Sequence, residues 1–188
     1  VYLSLSETVL KAGRSVLMIV PEIALTPMMV GYFLKRFHGN VAILHSELTN
    51  AEKYDEYRRI ARGEAKIVVG ARSAVFAPLT NIGLIVLDEE HVETYKQDTP
   101  PFYHARDVAI RRGEAHHAKV ILGSATPSLE SRARALKGVY HHLRLPKRVN
   151  DQPLPETTIV DMLDVKTIDR VSSLFSILLR QEIAATLE

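Results

Sequence analysis

The 188-residue sequence contains no cysteine. That excludes a disulfide framework, a thiolate zinc site and a cysteine nucleophile together, and it fits a reducing compartment without demanding one. An excess of charge of one sign is also missing: 24 lysines and arginines stand against 22 aspartates and glutamates, a net charge of +2. The total therefore neither proves nor excludes a nucleic-acid partner, and local charge must decide. No apolar run is long. Val16–Val20 and Leu84–Leu87 fall far short of the roughly 20 residues that cross a bilayer, so no membrane partner is expected. The start, Val1-Tyr2-Leu3-Ser4-Leu5, has no basic leader and no initiator methionine, and the chain reads as a piece of something longer without a secretory signal. Catalytic patterns are missing too. There is no His-Glu-x-x-His, and the adjacent pairs His116-His117 and His141-His142 cannot share one helix face, which argues against a zinc hydrolase. No serine nucleophile elbow occurs, and a Gly-x-x-x-x-Gly-Lys-[Ser/Thr] phosphate loop is found nowhere in the 188 residues.

What is present describes a globular domain. With 46% hydrophobic and 24% charged residues, a chain of this length buries roughly 70% of its unfolded surface, enough for a core without metal or disulfide. Short β-branched runs alternate with segments of helical period, the pattern of an α/β domain with a mostly parallel sheet flanked by helices. A helix is predicted over Tyr2–Lys11, closed by Gly13, and a buried strand over Ser15–Val20. Thr26-Pro27 offers an N-cap with proline at the first helical position, opening a helix to about Phe37. Val41–Leu44 reads as a strand, and Thr49-Asn50-Ala51-Glu52 as a capping box starting a helix to Arg62. Further strands are predicted at Lys66–Val69, Ile82–Leu87 and Lys119–Leu122, with a helix at His104–Glu114. Thr126-Pro127 repeats the cap-plus-proline device and predicts a helix to about Lys137. Beyond Tyr140, prolines 146, 153 and 155 break a basic connector. A short strand at Thr158–Asp161 and an amphipathic helix from Ser172 are predicted after it.

The sharpest local signal is Asp88-Glu89-Glu90-His91 at the carboxyl end of a buried strand, where ligands sit in open α/β sheets. In nucleotide hydrolases an aspartate at such a point holds Mg²⁺ and a neighbouring carboxylate polarises the attacking water. A solvated acidic turn accounts for the same four residues equally well. Gly123-Ser124-Ala125-Thr126-Pro127 is a second strand end, whose hydroxyls could bridge to the acidic turn or to a phosphate; a well-capped turn is its plainer reading. Tyr95, Lys96, Phe102, Tyr103, His104 and Arg106 surround Pro100-Pro101. Aromatics interleaved with cations suit stacking on unpaired bases, the alternative being aromatics folded back as core plugs. Pro21-Glu22 through Thr26, and Gly70-Ala71-Arg72-Ser73, follow buried strands and could hold a phosphodiester backbone, as generic turns also could. Ser131–Arg148 is basic without an acidic residue, either a nucleic-acid face or a solvated one.

In order and wording these loops resemble the first RecA-like motor domain of the PriA (primosomal protein N′) family, bacterial replication-restart DNA helicases of superfamily 2. The likeness is carried by Val-Gly-Ala-Arg-Ser-Ala-Val-Phe-Ala-Pro-Leu (residues 69–79), Leu-Asp-Glu-Glu-His (87–91), Tyr-Lys-Gln-Asp with Tyr-His-Ala-Arg-Asp, and Leu-Gly-Ser-Ala-Thr-Pro-Ser-Leu-Glu-Ser (122–131). It implies a P-loop NTPase fold of three αβα layers. Residues 1–145 would be the motor domain lacking its phosphate loop, and 146–188 a connector and the start of a second motor domain.

The resemblance further implies that Asp88 binds Mg²⁺ through ATP and that Glu89 activates water, with Glu90 and His91 relaying nucleotide state to Ser124, Ala125 and Thr126. It places Pro21, Glu22, Thr26, Gly70, Ala71, Arg72 and Ser73 on DNA. It makes the Tyr95–Arg106 loop, with Lys96, Phe102 and Tyr103, the element that couples hydrolysis to DNA. Relatives unwind DNA 3′ to 5′ at stalled forks and work with primosome proteins and single-stranded DNA-binding protein in the bacterial cytoplasm, at the nucleoid. They carry zinc in a cysteine-rich region that this sequence does not contain. Without phosphate loop and second motor domain, these 188 residues are expected to be inactive by themselves. The alternatives are a non-catalytic RecA-like module that binds nucleic acid and a hydrolase using a metal held directly by Asp88 and Glu89.

Overall fold

The computed structural model describes residues 1–146, 156–163, 168–169 and 172–187. Lys147, Arg148, Pro153 and Pro155 of the basic connector lie outside them. By their internal contacts the residues form two units, Val1–His142 and Leu143–Glu188.

In the first unit, α1 (Tyr2–Lys11) leads into β1 (Ser15–Ile19), α2 (Pro27–Phe37), β2 (Val41–Leu44), α3 (Asn50–Ala61), β3 (Ile67–Gly70) and β4 (Ile82–Leu87). A two-residue strand pair, β5 (Lys96–Gln97) and β6 (Tyr103–His104), precedes α4 (Ala105–His116), β7 (Lys119–Leu122) and α5 (Leu129–Leu136). Strands β2-β3-β1-β4-β7 hydrogen-bond in that order into one sheet, and every pairing in it is parallel. Parallel strands need a crossover, and the crossovers here carry helices to both faces. Side chains alternate across the pleat. Leu17, Ile19, Val68, Ile85 and Leu87 pack with Ile60 of α3 and with Ala105 and Ala109 of α4. Val16, Met18, Val20, Val69, Leu84 and Val86 pack with Phe33 of α2 and with Tyr2, Leu3, Val9 and Leu10 of α1. Burial on both sides explains why these strands read as continuous apolar runs.

The predicted caps at the first helices are present. Thr26 accepts from the Met29 N–H at 3.3 Å with Pro27 at the first helical position. The Thr49 capping box is complete, with the Glu52 carboxylate returning to the Thr49 N–H at 2.8 Å. Gly70 ends β3 where the backbone runs close to the end of β2. A Cβ there would lie 2.4 Å from the Leu44 carbonyl oxygen and 2.6 Å from Ala74 Cβ, so no larger residue fits.

Three predicted elements differ. Thr126-Pro127 does not open a helix; α5 starts two residues later, capped by Ser128, whose hydroxyl accepts from the Ser131 N–H at 3.3 Å. The Thr126 N–H instead donates to Ser124 Oγ at 2.9 Å, a local turn that competes with helix nucleation. Thr158–Asp161 is not a strand: Asp161 accepts from the Leu163 N–H at 2.8 Å and turns the chain. The terminal helix begins at Ile177, not Ser172. Ser172–Ser176 is β9, paired antiparallel with β8 (Ile168–Asp169), and α6 (Ile177–Leu187) follows. Strand pairing takes Ser172, and Ser176 Oγ accepts from the Leu179 N–H at 3.0 Å where the helix begins.

Candidate functional site

The carboxyl ends of β1, β3, β4 and β7 bring the separated sequence signals to one rim of the sheet. At the end of β4 the backbone of Asp88 is tied down from two sides. Its N–H donates to the Ile19 carbonyl at 2.9 Å, and its carbonyl accepts from the Tyr95 hydroxyl at 2.6 Å. Glu89 follows with φ of +48°, a left-handed conformation that costs a non-glycine residue roughly 1–2 kcal/mol. Strain of this kind gathers at functional turns. Here it sends neighbouring carboxylates opposite ways: the Glu89 side chain is 43% exposed, whereas Glu90 is 2% exposed.

Glu90 is held on every side. Its N–H donates to the Gly123 carbonyl. Oε1 accepts from the Ser128 N–H at 2.7 Å, and Oε2 from Ser131 Oγ at 2.9 Å, Ser128 Oγ at 3.1 Å and Arg106 Nη1 at 3.1 Å. Burial by itself would raise this carboxyl's pKa, but the bonds from Ser128, Ser131 and Arg106 outweigh it and hold the group below the usual carboxylate range. Glu90 is thus occupied in clamping the start of α5 to the acidic turn. His91 reaches the other way, with Nδ1 2.8 Å from Ser124 Oγ and Nε2 3.4 Å from Thr126 Oγ1. The acidic turn and the Ser124-Ala125-Thr126 turn are therefore joined through His91, the bridging reading of the two that the sequence left open, while Ala125 stays exposed.

Beside this cluster lies an open cavity of about 480 Å³ lined in part by Pro21, Glu22, Ala71, Arg72, Ser73 and Lys96. Three segments predicted separately to meet DNA thus share one concave surface. Thr26 caps α2 and Gly70 is buried beneath the rim. Arg72 spends Nη1 on the carbonyls of Thr94 and Lys96, at 3.1 and 2.7 Å, and its guanidinium lies 6.0 Å from the Tyr103 ring, which packs edge-on against Phe76. It fastens the aromatic loop to the loop after β3.

Two residues of that loop are corrected as DNA contacts. Tyr95 is 0% exposed and its hydroxyl is bonded to Asp88 and, at 3.3 Å, to the Ile19 carbonyl. Burial, and then the carboxylates of Asp88 and Glu89, push its pKa up, so it remains a donor. Arg106 is 9% exposed and bonded to Glu90 and Ser128. Both are the core plugs that the composition of the loop also allowed. Phe102, 72% exposed, and Lys96 remain on the surface. Sequence reasoning assigned no role to Tyr2, Ser128 or Ser131. The two serines fall inside the motif block 122–131, whereas nothing in the sequence links Tyr2 to Asp88, 86 residues away.

A parallel sheet with an Asp-Glu-Glu-His turn after an inner strand, joined through histidine to a Ser-Ala-Thr turn after the edge strand, defines a RecA-like helicase lobe. The sequence pattern of DEAD/DEAH box helicases matches residues 2–135, and the chain belongs to that family. Its relatives narrow the likeness. It is 50% identical over its whole length to the "Replication restart protein PriA" of Bacillus subtilis, covering 23% of that protein. To the proteins of the same name from Synechocystis and Chlamydia pneumoniae it is 50% identical over 86% of the chain and 43% over 100%, covering 20% and 25% of them. The chain thus spans about a quarter of the length of these relatives. In shape, the C-terminal domain of the DEAD-box protein Dbp5 aligns over 68% of this chain and 72% of its own at 17% identity and a TM-score of 0.46, too loose a likeness to add to the sequence match.

Proposed function

We propose that these residues form most of the first motor lobe of an ATP-dependent DNA helicase that unwinds 3′ to 5′ at stalled forks and restarts replication. The observation that carries this reading is the placement of Asp88 and Glu89 beside the Ser124-Ala125-Thr126 turn and one residue-thickness, Tyr95, from the cavity lined by Pro21, Arg72 and Lys96. Asp88 is the residue that would hold Mg²⁺. Among the described residues no three acidic or histidine groups gather into a metal cage, which suits a hard cation held mainly by nucleotide phosphates and water with one carboxylate, and disfavours a directly ligated hydrolytic metal. Bound with ATP, Mg²⁺ would spread the charge of the transferred phosphoryl group.

Glu89, half-exposed at the turn, orients the attacking water. His91 carries a change at Glu89, 3.6 Å away, to Ser124 and Thr126. Glu22, Ala71 and Ser73 line the surface for single-stranded DNA, to which Thr26 at the start of α2 is also assigned; Lys96 supplies charge, and Phe102 offers a face for an unpaired base. Tyr95 and Arg72 tie that surface to Asp88 from within. Residues 1–145 form the lobe and 146–188 lead toward the second one; forked DNA, primosome proteins and single-stranded DNA-binding protein are partners of the full-length protein in the cytoplasm at the nucleoid. Its zinc would be held outside these cysteine-free residues.

Two measurements test this. The full-length protein should hydrolyse ATP on addition of single-stranded DNA, and the 188 residues by themselves should not, because they contain no phosphate loop; DNA-stimulated turnover by the isolated chain would overturn that part. In the full-length protein, Phe102→Ala should weaken single-stranded DNA binding by about 1–3 kcal/mol, the usual worth of one base stack, in a fluorescence anisotropy titration. Unchanged affinity would remove Phe102 from the DNA surface.

A further inference from the structure

We propose that Tyr2 is a positioning residue for Asp88, and that residue 123 is glycine to leave room for the tyrosine hydroxyl. The inference rests on the reading of Asp88 as the group that faces the nucleotide-bound cation. The Tyr2 hydroxyl donates to Asp88 Oδ1 at 2.8 Å across 86 residues of sequence. The backbone of Asp88 is already fixed by Ile19 and Tyr95. What remains free is rotation of its side chain, and the Tyr2 bond removes that freedom by claiming one of the two carboxylate oxygens.

Position 123 supplies the independent observation. A Cβ built on Gly123 would lie 2.1 Å from the Tyr2 hydroxyl oxygen, 3.3 Å from Tyr2 Cζ and 3.2 Å from Asp88 Oδ1. Its φ is not in the left-handed region, so conformation does not demand glycine there; the space taken by the hydroxyl does. Packing accounts for the ring, which borders the apolar cluster under α1 and α2. Phenylalanine would serve that purpose equally, so the hydroxyl has a separate use. A carboxylate pre-set in one rotamer loses less freedom when it meets a cation, so the bond contributes to metal affinity through preorganisation. Tyr2 also stands on the first turn of α1, so its hold on Asp88 joins α1 to the acidic turn.

The test uses the full-length protein with Tyr2→Phe and, separately, Gly123→Ala. Metal affinity is read by electron paramagnetic resonance titration of Mn²⁺ in the presence of ADP, and function by the Mg²⁺ concentration giving half-maximal ATP turnover. Loss of one hydrogen bond to a charged group is expected to raise both midpoints about tenfold in each variant. Saturating metal should restore most turnover, DNA affinity should match the parent, and both variants should stay folded, with melting temperatures only a few degrees below the parent's. Midpoints equal to the parent's in Tyr2→Phe would overturn the proposal, and so would a loss of turnover that extra metal does not relieve. Asp88→Ala is the control: if it keeps metal binding and turnover, the nucleotide reading itself fails, a result distinct from a silent Tyr2→Phe.

Discussion

Asp88→Ala in the full-length protein is expected to bring DNA-stimulated ATP turnover to background, a fall of more than about a thousandfold, while single-stranded DNA affinity stays within twofold. The size follows from losing several kcal/mol of charge stabilisation at the transferring phosphoryl group, each 1.36 kcal/mol being about a factor of ten in rate. Sparing of DNA binding follows from position. Asp88 contributes its carbonyl to Tyr95 and its N–H to the Ile19 carbonyl, and both bonds survive removal of the carboxylate. The cavity lined by Pro21, Arg72 and Lys96 therefore keeps its floor. Steady-state turnover and anisotropy on the same preparation check both halves. A fully active variant would move the metal assignment away from Asp88, and a parallel loss of DNA binding would show the turn to be scaffolding.

The second large effect is on stability. Glu90→Ala removes four protein bonds at once and leaves the buried Arg106 guanidinium with only the exposed Asp107 carboxylate, 4.0 Å away, as counter-charge, while Ser128 and Ser131 lose their acceptor. Breaking a buried pair from one side costs about 3–5 kcal/mol, which a denaturant titration of the parent and variant chains resolves readily. Glu90→Gln keeps an acceptor but not the charge and should fall between. The pH dependence has a definite sign. Because the folded protein holds the Glu90 carboxyl below its ordinary range, its stabilisation is fully present above the carboxylate range of unfolded chains and disappears as pH falls through the folded value. The gap between parent and Glu90→Ala should therefore be constant near neutrality and narrow in acid. A gap below about 1 kcal/mol at neutral pH would mean that the cluster is a surface arrangement of little worth.

These two carboxylates show how far a sequence carries. Asp-Glu-Glu-His after an apolar strand marks a site, but the pattern does not say which of its side chains face solvent and which are buried. The left-handed turn at Glu89 separates a half-exposed Glu89 from a buried Glu90. The aromatic loop behaves likewise. Its composition suits stacking on bases or filling the core, and the fold divides it: Phe102 and Lys96 outside, Tyr95 and Arg106 inside. Thr126-Pro127 misplaces a helix start because it offers an acceptable cap, and the helical spacing read from Ser172 starts the last helix too early; bonds to Ser128 and the pairing of β9 with β8 set the observed starts.

The lack of cysteine, of excess charge and of long apolar runs, with alternating strand and helix patterns, determined by sequence alone that this is an α/β domain with its chemistry at the strand ends. Those features are local, written in periodicity, caps and the residues that follow each strand. The tertiary structure decided which groups share a surface. The Tyr2 hydroxyl on Asp88, the room that Gly123 leaves for it and the Glu90 clamp join residues between 16 and 121 positions apart. No periodicity encodes such pairs, because they arise only when parallel crossovers stack helix and strand ends on one rim.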